Sequence, residues 1–182
     1  MSPRLGLVTR FCLALSIASA QQPAVDPAAT NLHLVGDARL NGSVIHLTPL
    51  LPNQTGAAWI AKPQFLKSFF EFEFTFRLSK SSKRRSAGSD GFAFVIQNLG
   101  PNAIGGRGSS GGFGIGRGVN PPDRGIPRSI AIFFDTHRNY KEGDPSGNSI
   151  GIYTDSDGYF MPRRLAILEK APVRLNDGKP YQ

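Results

Sequence analysis

Three oxygen-bearing side chains share one loop in the stretch FFDTHRNYKEGDPSGNSIGI, residues 133–152. Asp135 ends an apolar run, Asn139 stands four residues on, and Asp144 nine. A hard cation such as calcium takes about six to eight oxygens from carboxylates, amide and backbone carbonyls, and water. A carboxylate at the end of a strand, followed by a loop that returns two more oxygen donors, is a geometry that wraps such an ion. Spacing alone is a weak warrant for it, because polar loops after strands are common.

Other chemical-looking motifs fall away on context. Gly106–Gly111 matches GxGxxG, and Gly108–Gly112 matches GxSxG. Each has mechanical meaning only at a strand-to-helix turn, where a helix N-terminus meets phosphate or a serine is exposed. The residues that follow are FGIGRG, which carry no helical pattern, so dinucleotide-binding and hydrolase readings lose their support. The histidines His33, His46 and His137 form no HExxH pattern. Asp155-Ser-Asp157-Gly158 lacks the spacing and terminal Glu of an EF-hand and reads as a β-turn. A glycosidase needs two carboxylates facing one sugar bond. Glu71 and Glu73 share a face, but the opposite face is Phe, which puts the pair on a solvated sheet surface.

The elements that would position the loop are strands. In FFEFEFTFRLS, 69–79, Phe70, Phe72, Phe74, Phe76 and Leu78 alternate with Glu71, Glu73, Thr75 and Arg77. Period two predicts a half-buried antiparallel strand. GFAFVIQN (91–98), SIAIFFDT (129–136) and SIGIYTD (149–155) are further strands. NLHLVGDARL and GSVIHLTPL, joined at Asn41-Gly42, read as a hairpin. The segment between the strands 91–98 and 129–136 is dense in Gly and Pro, and neither an amphipathic helix nor a fixed repeat is visible. The fold class predicted is all-β, an antiparallel sandwich with long loops.

Bulk properties bound the rest. The chain has 182 residues, 40% of them hydrophobic and 13 of them Phe, enough for one domain with a real core. Arg4 and Arg10 precede FCLALSIASA, which ends in small residues before Gln21. That layout predicts a signal peptide over 1–20, too short to span a bilayer, with a Pro/Ala linker over 21–30 and the domain over 31–182. Cleavage would remove Cys12, the sole cysteine, so the secreted chain would hold neither a disulfide nor a thiolate metal site. The formal charge of +8 would fall to +6. Part of the excess lies in KSSKRR, 80–85, which reads as a solvated hairpin tip and not as a nucleic-acid patch. Asn41-Gly-Ser and Asn53-Gln-Thr are glycosylation acceptors in a host that glycosylates.

Taken in order, FEFTF, SDGFAFVIQ, GGFGIG, GIPRSIAIFFDT and N…GDPSGNSIGI make the chain from about Asn31 onward resemble the legume-type (L-type) lectins, especially bacterial and other non-plant relatives. The resemblance implies a concanavalin A-like jelly-roll sandwich whose C-terminal strands, present in relatives, are missing here. It also implies secreted, calcium-dependent carbohydrate binding without catalysis, with glycans or glycoconjugates as partners. A sandwich-fold glycoside hydrolase, and an adhesion or structural domain that has lost sugar binding, are the alternatives. By resemblance the calcium ligands are Asp135, the His137 carbonyl, Asn139 and Asp144. The sugar contacts are Asp90, Gly111, Gly112, His137 and Asn139. Plant members hold a second, transition-metal ion through a Glu and a His where this chain has Phe133 and Ser149, so calcium alone is expected.

Overall fold

The computed structural model describes residues 4–9, 12–14, 31–64, 71–79, 90–106, 125–140, 144–155 and 163–182, with backbone alone for 4–9, 12–14 and 155. Among the described residues, twelve strands form two sheets: β1 Arg4–Thr9, β2 Cys12–Ala14, β3 Leu32–Gly36, β4 Arg39–Asn41, β5 Val44–His46, β6 Gly56–Ile60, β7 Thr75–Arg77, β8 Gly91–Gln97, β9 Ser129–Asp135, β10 Ser149–Asp155, β11 Arg163–Leu168 and β12 Pro180–Tyr181. The larger sheet runs β11-β10-β9-β8-β1-β6-β3 and the smaller β12-β7-β2-β5-β4. The pairings are antiparallel throughout. The all-β antiparallel sandwich predicted from the sequence is the architecture found.

Alternation decides which side of each strand is covered. In β9, Ser129, Ala131, Phe133 and Asp135 are buried on one face, while Ile130, Ile132 and Phe134 point to the other. The second face meets the smaller sheet through a run of aromatic rings. Phe92 and Phe134 stack at 4.4 Å with planes 4° apart, and Phe76 lies 4.5 Å from Phe92. Phe72 and Phe74 reach Phe94 from the same side. Each such ring removes enough apolar surface from water to contribute about 1.5–3 kcal/mol, and offset or edge contacts add about 0.5–1.5 kcal/mol per pair. Coverage thins toward β10 and β11: Ile130, Ile132, Ile152 and Leu168 remain exposed.

The first face of β9 is sealed by loops. Trp59, Ala93, Val95, Ile126, Ala131 and Phe133 form a second buried cluster there, and the Trp59 indole N–H donates to the Ala103 carbonyl at 2.7 Å. This is the face that carries Asp135.

Several elements depart from the sequence reading. The run 31–40 is two strands in different sheets, because the chain turns at Gly36 with φ of 67°. A Cβ at Gly36 would lie 2.3 Å from the Thr55 carbonyl oxygen, so only glycine permits that approach. The Asn41-Gly42 hairpin forms, with Asn41 opposite Val44. Of the described residues 71–79, Thr75–Arg77 alone pair as a strand, although Phe72, Phe74, Phe76 and Leu78 do turn inward and Glu71, Glu73 and Arg77 outward. Phe70 and the tip 80–85 lie outside the described residues. β6 and β11 are additions: GAAWI is buried on both faces and so shows no alternation, and RRLAIL is an exposed edge. Arg4–Thr9 and Cys12–Ala14, within the segment read as a leader, are strands, and β1 pairs with both β6 and β8.

Candidate functional site

The site is assembled where β8, β9 and β10 end side by side. Asp135 pairs with Gly91 of β8 on one side and with Ser149 of β10 on the other. That register sets Asp90 next to the end of β9, where its carbonyl accepts hydrogen bonds from the Thr136 N–H at 2.9 Å and the Thr136 hydroxyl at 3.2 Å. One carboxylate is thereby placed by strand pairing and another by the residue just before a strand.

The loop after β9 folds back on itself. The His137 N–H donates to Asp135 Oδ1 at 2.8 Å, and the Asn139 N–H donates to Asp144 Oδ2 at 2.9 Å. The Arg138 guanidinium donates from Nε to the Asp144 carbonyl at 3.1 Å and lies over the Tyr140 ring, 4.5 Å from its centroid. Gly147 passes so close to the other limb that a Cβ would sit 3.3 Å from the Arg138 nitrogen. Asp135 and Asp144 thus close the two ends of one loop, with Asn139 and exposed His137 between them.

Electrostatics mark Asp135 as the centre. It is 5% exposed. Its carboxyl is pushed up from 3.8 to about 7 by burial first; the negative charges of Asp144 and Asp90 add to the rise. The His137 N–H and the Ser149 hydroxyl oppose it. A buried carboxylate pressed by two others is a site whose ionised form gains from a cation. The donors present are two carboxylates, an amide and backbone carbonyls, the hard oxygen set that calcium takes. Among the described residues no three His, Cys, Asp or Glu side chains group as a metal cluster.

Phe133, two residues before Asp135, shares its buried face. Its ring stacks on Tyr153 at 4.3 Å and 18°, and Tyr153 lies across Gly151, where a Cβ would fall 2.4 Å from the Tyr153 ring. Glu71 and Glu73 are exposed.

Of the residues named from the sequence, Asp90, Asp135, His137, Asn139 and Asp144 come together at this corner. Gly111 and Gly112 lie outside the described residues, as do Ser156 to Gly158 of the DSDG turn. Sequence reasoning missed Ser149 as a hydrogen-bond partner of Asp135. Its position opposite Asp135 in the next strand was the available signal.

Among the described residues, the antiparallel sandwich carries a carboxylate-rich loop at the ends of three adjacent strands. The family model of the legume lectin domain matches residues 24–159, and the chain belongs to that family. A lectin-like protein of Arabidopsis thaliana is 36% identical over 135 residues, 66% of this chain and 47% of that protein. The chain therefore spans about half the length of that relative.

Proposed function

We propose that this protein is a secreted lectin domain that binds glycans in a calcium-dependent way and carries out no catalysis. The observation that carries the reading is the convergence of Asp135, Asp144, Asn139 and Asp90 at the ends of β8, β9 and β10, in a chain of the legume lectin family. Asp135, Asn139, Asp144 and the His137 carbonyl would hold the calcium. When bound, the ion supplies positive charge that offsets the carboxylates and fixes the loop, so that less ordering entropy is lost when sugar arrives. Asp90 accepts hydrogen bonds from adjacent sugar hydroxyls, Asn139 donates one through its amide, and Gly111 and Gly112 let backbone approach closely. The exposed His137 ring flanks the sugar. The stacked rings of Phe133 and Tyr153 occupy the face beside Asp135, which favours calcium alone over a calcium and transition-metal pair.

Isothermal titration with calcium should give one site, lost in Asp135→Ala. A glycan array should show binding that a chelator abolishes and calcium restores, while manganese alone does not. Two tight metal sites, or glycan binding indifferent to chelator, would overturn the reading. Secretion is proposed on the Arg4–Ala20 pattern, and the mass of the exported protein, beginning at Gln21, tests it.

A further inference from the structure

We infer that Asn148 is a positioning residue for the ion loop, through which the segment 169–175 holds Asp144 and Asp135 in place. This inference rests on the calcium-binding reading above. Asn148 follows the loop by four residues and immediately precedes Ser149, the β10 residue opposite Asp135. Its amide nitrogen donates to the carbonyls of Val173 at 2.7 Å and Ala171 at 3.4 Å. Its amide oxygen accepts from the Leu175 N–H at 2.9 Å. Its backbone carbonyl accepts from the Ala171 N–H at 2.8 Å. One side chain and one peptide unit therefore tie the loop to a strap twenty-odd residues later in the chain.

The strap is itself fixed. Ala171 and Leu175 are 4% and 2% exposed and belong to the aromatic core cluster. Ser146 adds a second tie, its hydroxyl donating to the Glu169 carbonyl while accepting from the Asn148 N–H. Between these ties and the ion loop there is little slack. Gly147 rests against the Arg138 backbone, and Pro145 restricts φ beside Asp144. Core packing is transmitted through the strap to Asn148, and from there to Asp144 on one side and Ser149 on the other. An asparagine suits the task because its amide donates and accepts at once; the backbone groups it meets would otherwise lose partners at a part-buried site, which is costly.

The test uses the full chain and Asn148→Ala, with Tyr181→Phe as a control. The Tyr181 hydroxyl donates to Asp177 at 2.8 Å, with the Arg174 carbonyl 3.3 Å away, so its loss removes a hydrogen bond of the C-terminal segment but none of those between strap and loop. Two readouts are taken: hydrogen exchange of the Asn139 amide without metal, and calcium affinity by titration with calcium chloride. Asn148→Ala should speed exchange at Asn139 and weaken calcium binding roughly tenfold, given the loss of three modest hydrogen bonds. Sugar affinity at saturating calcium should return to within about twofold of the parent, since the ion then supplies the order that the strap no longer does. Tyr181→Phe should leave both readouts unchanged. Parent-like exchange and calcium affinity in Asn148→Ala, or equal effects from Tyr181→Phe, would overturn the inference while leaving the function standing. A parent chain that takes up no calcium would overturn the function itself, and with it the role given to Asn148.

Discussion

Burial at Asp135 leaves its carboxyl titrating near 7, against 3.8 when solvated, and the sign of the consequence follows. Between those values the unfolded chain releases a proton that the folded chain keeps. Stability of the metal-free chain is therefore full below the unfolded value and falls as pH rises through the folded one, at up to about 1.4 kcal/mol per pH unit. Thermal melts without metal should show Tm dropping from about pH 4 to pH 7, and Asp135→Asn should flatten that slope. Calcium favours the ionised form, so its stabilising effect should grow with pH, being larger at pH 8 than at pH 5. A Tm that is flat in the parent would remove the burial argument. That Asp135, Asn139 and Asp144 gather in one loop was legible because a strand end and two loop oxygens sit close in sequence. Asn148 and its strap were not, because backbone carbonyls 23 and 25 residues away leave no trace in residue type.

At the scale of elements, the site depends on the aromatic run that packs β8 and β9 against the smaller sheet. Phe92 is 1% exposed and contacts Phe74, Phe76 and Phe134. Phe92→Ala should cost about 3–5 kcal/mol in chemical denaturation, whereas Ile132→Ala, at a position 37% exposed, should cost far less. Similar losses at the two positions would mean that the thinly covered side of the sheet is buried in solution. β8, β9 and β10 emerged from the sequence with their starts in place, β8 and β9 ending one residue earlier than read, since long apolar or alternating segments carry the strongest signal. β6 was missed because a five-residue strand with two alanines, covered on both faces, has neither length nor period. FFEFEFTFRLS showed its face correctly but not its extent. Alternation reports which side a chain buries, and an extended segment buries a side whether or not it finds a neighbour to pair with.

At the scale of the whole molecule, β1 is, among the described strands, the one connection in the hydrogen-bond ladder between the pair β3-β6 and the run β8-β9-β10-β11. An apolar run of this length fits a leader or a buried strand equally well by pattern. If residues 1–20 are removed on export, β6 and β8 lose the neighbour they share. Hydrogen exchange at Gly56–Ile60 and Gly91–Gln97 should then be faster in exported protein than in a chain kept whole by expression without export. Equal protection in the two would mean that Arg4–Thr9 contributes nothing to the ladder. The same strand also sets a clock. Arg4 meets Gln97 and Thr9 meets Phe92, so this segment, even after it has paired with β6, waits for its second neighbour, made more than eighty residues later. At about 5–20 residues per second, that wait lasts on the order of 4–20 seconds. Through it, Arg4–Thr9 keeps at least one bare edge, open to whatever reads the nascent chain. Once β8 exists, the same residues are withdrawn into the middle of a sheet. If the chain is exported, whether this segment acts as an address or as architecture is settled by a race between export and translation, and slowing synthesis between residues 20 and 97 would tilt that race toward export.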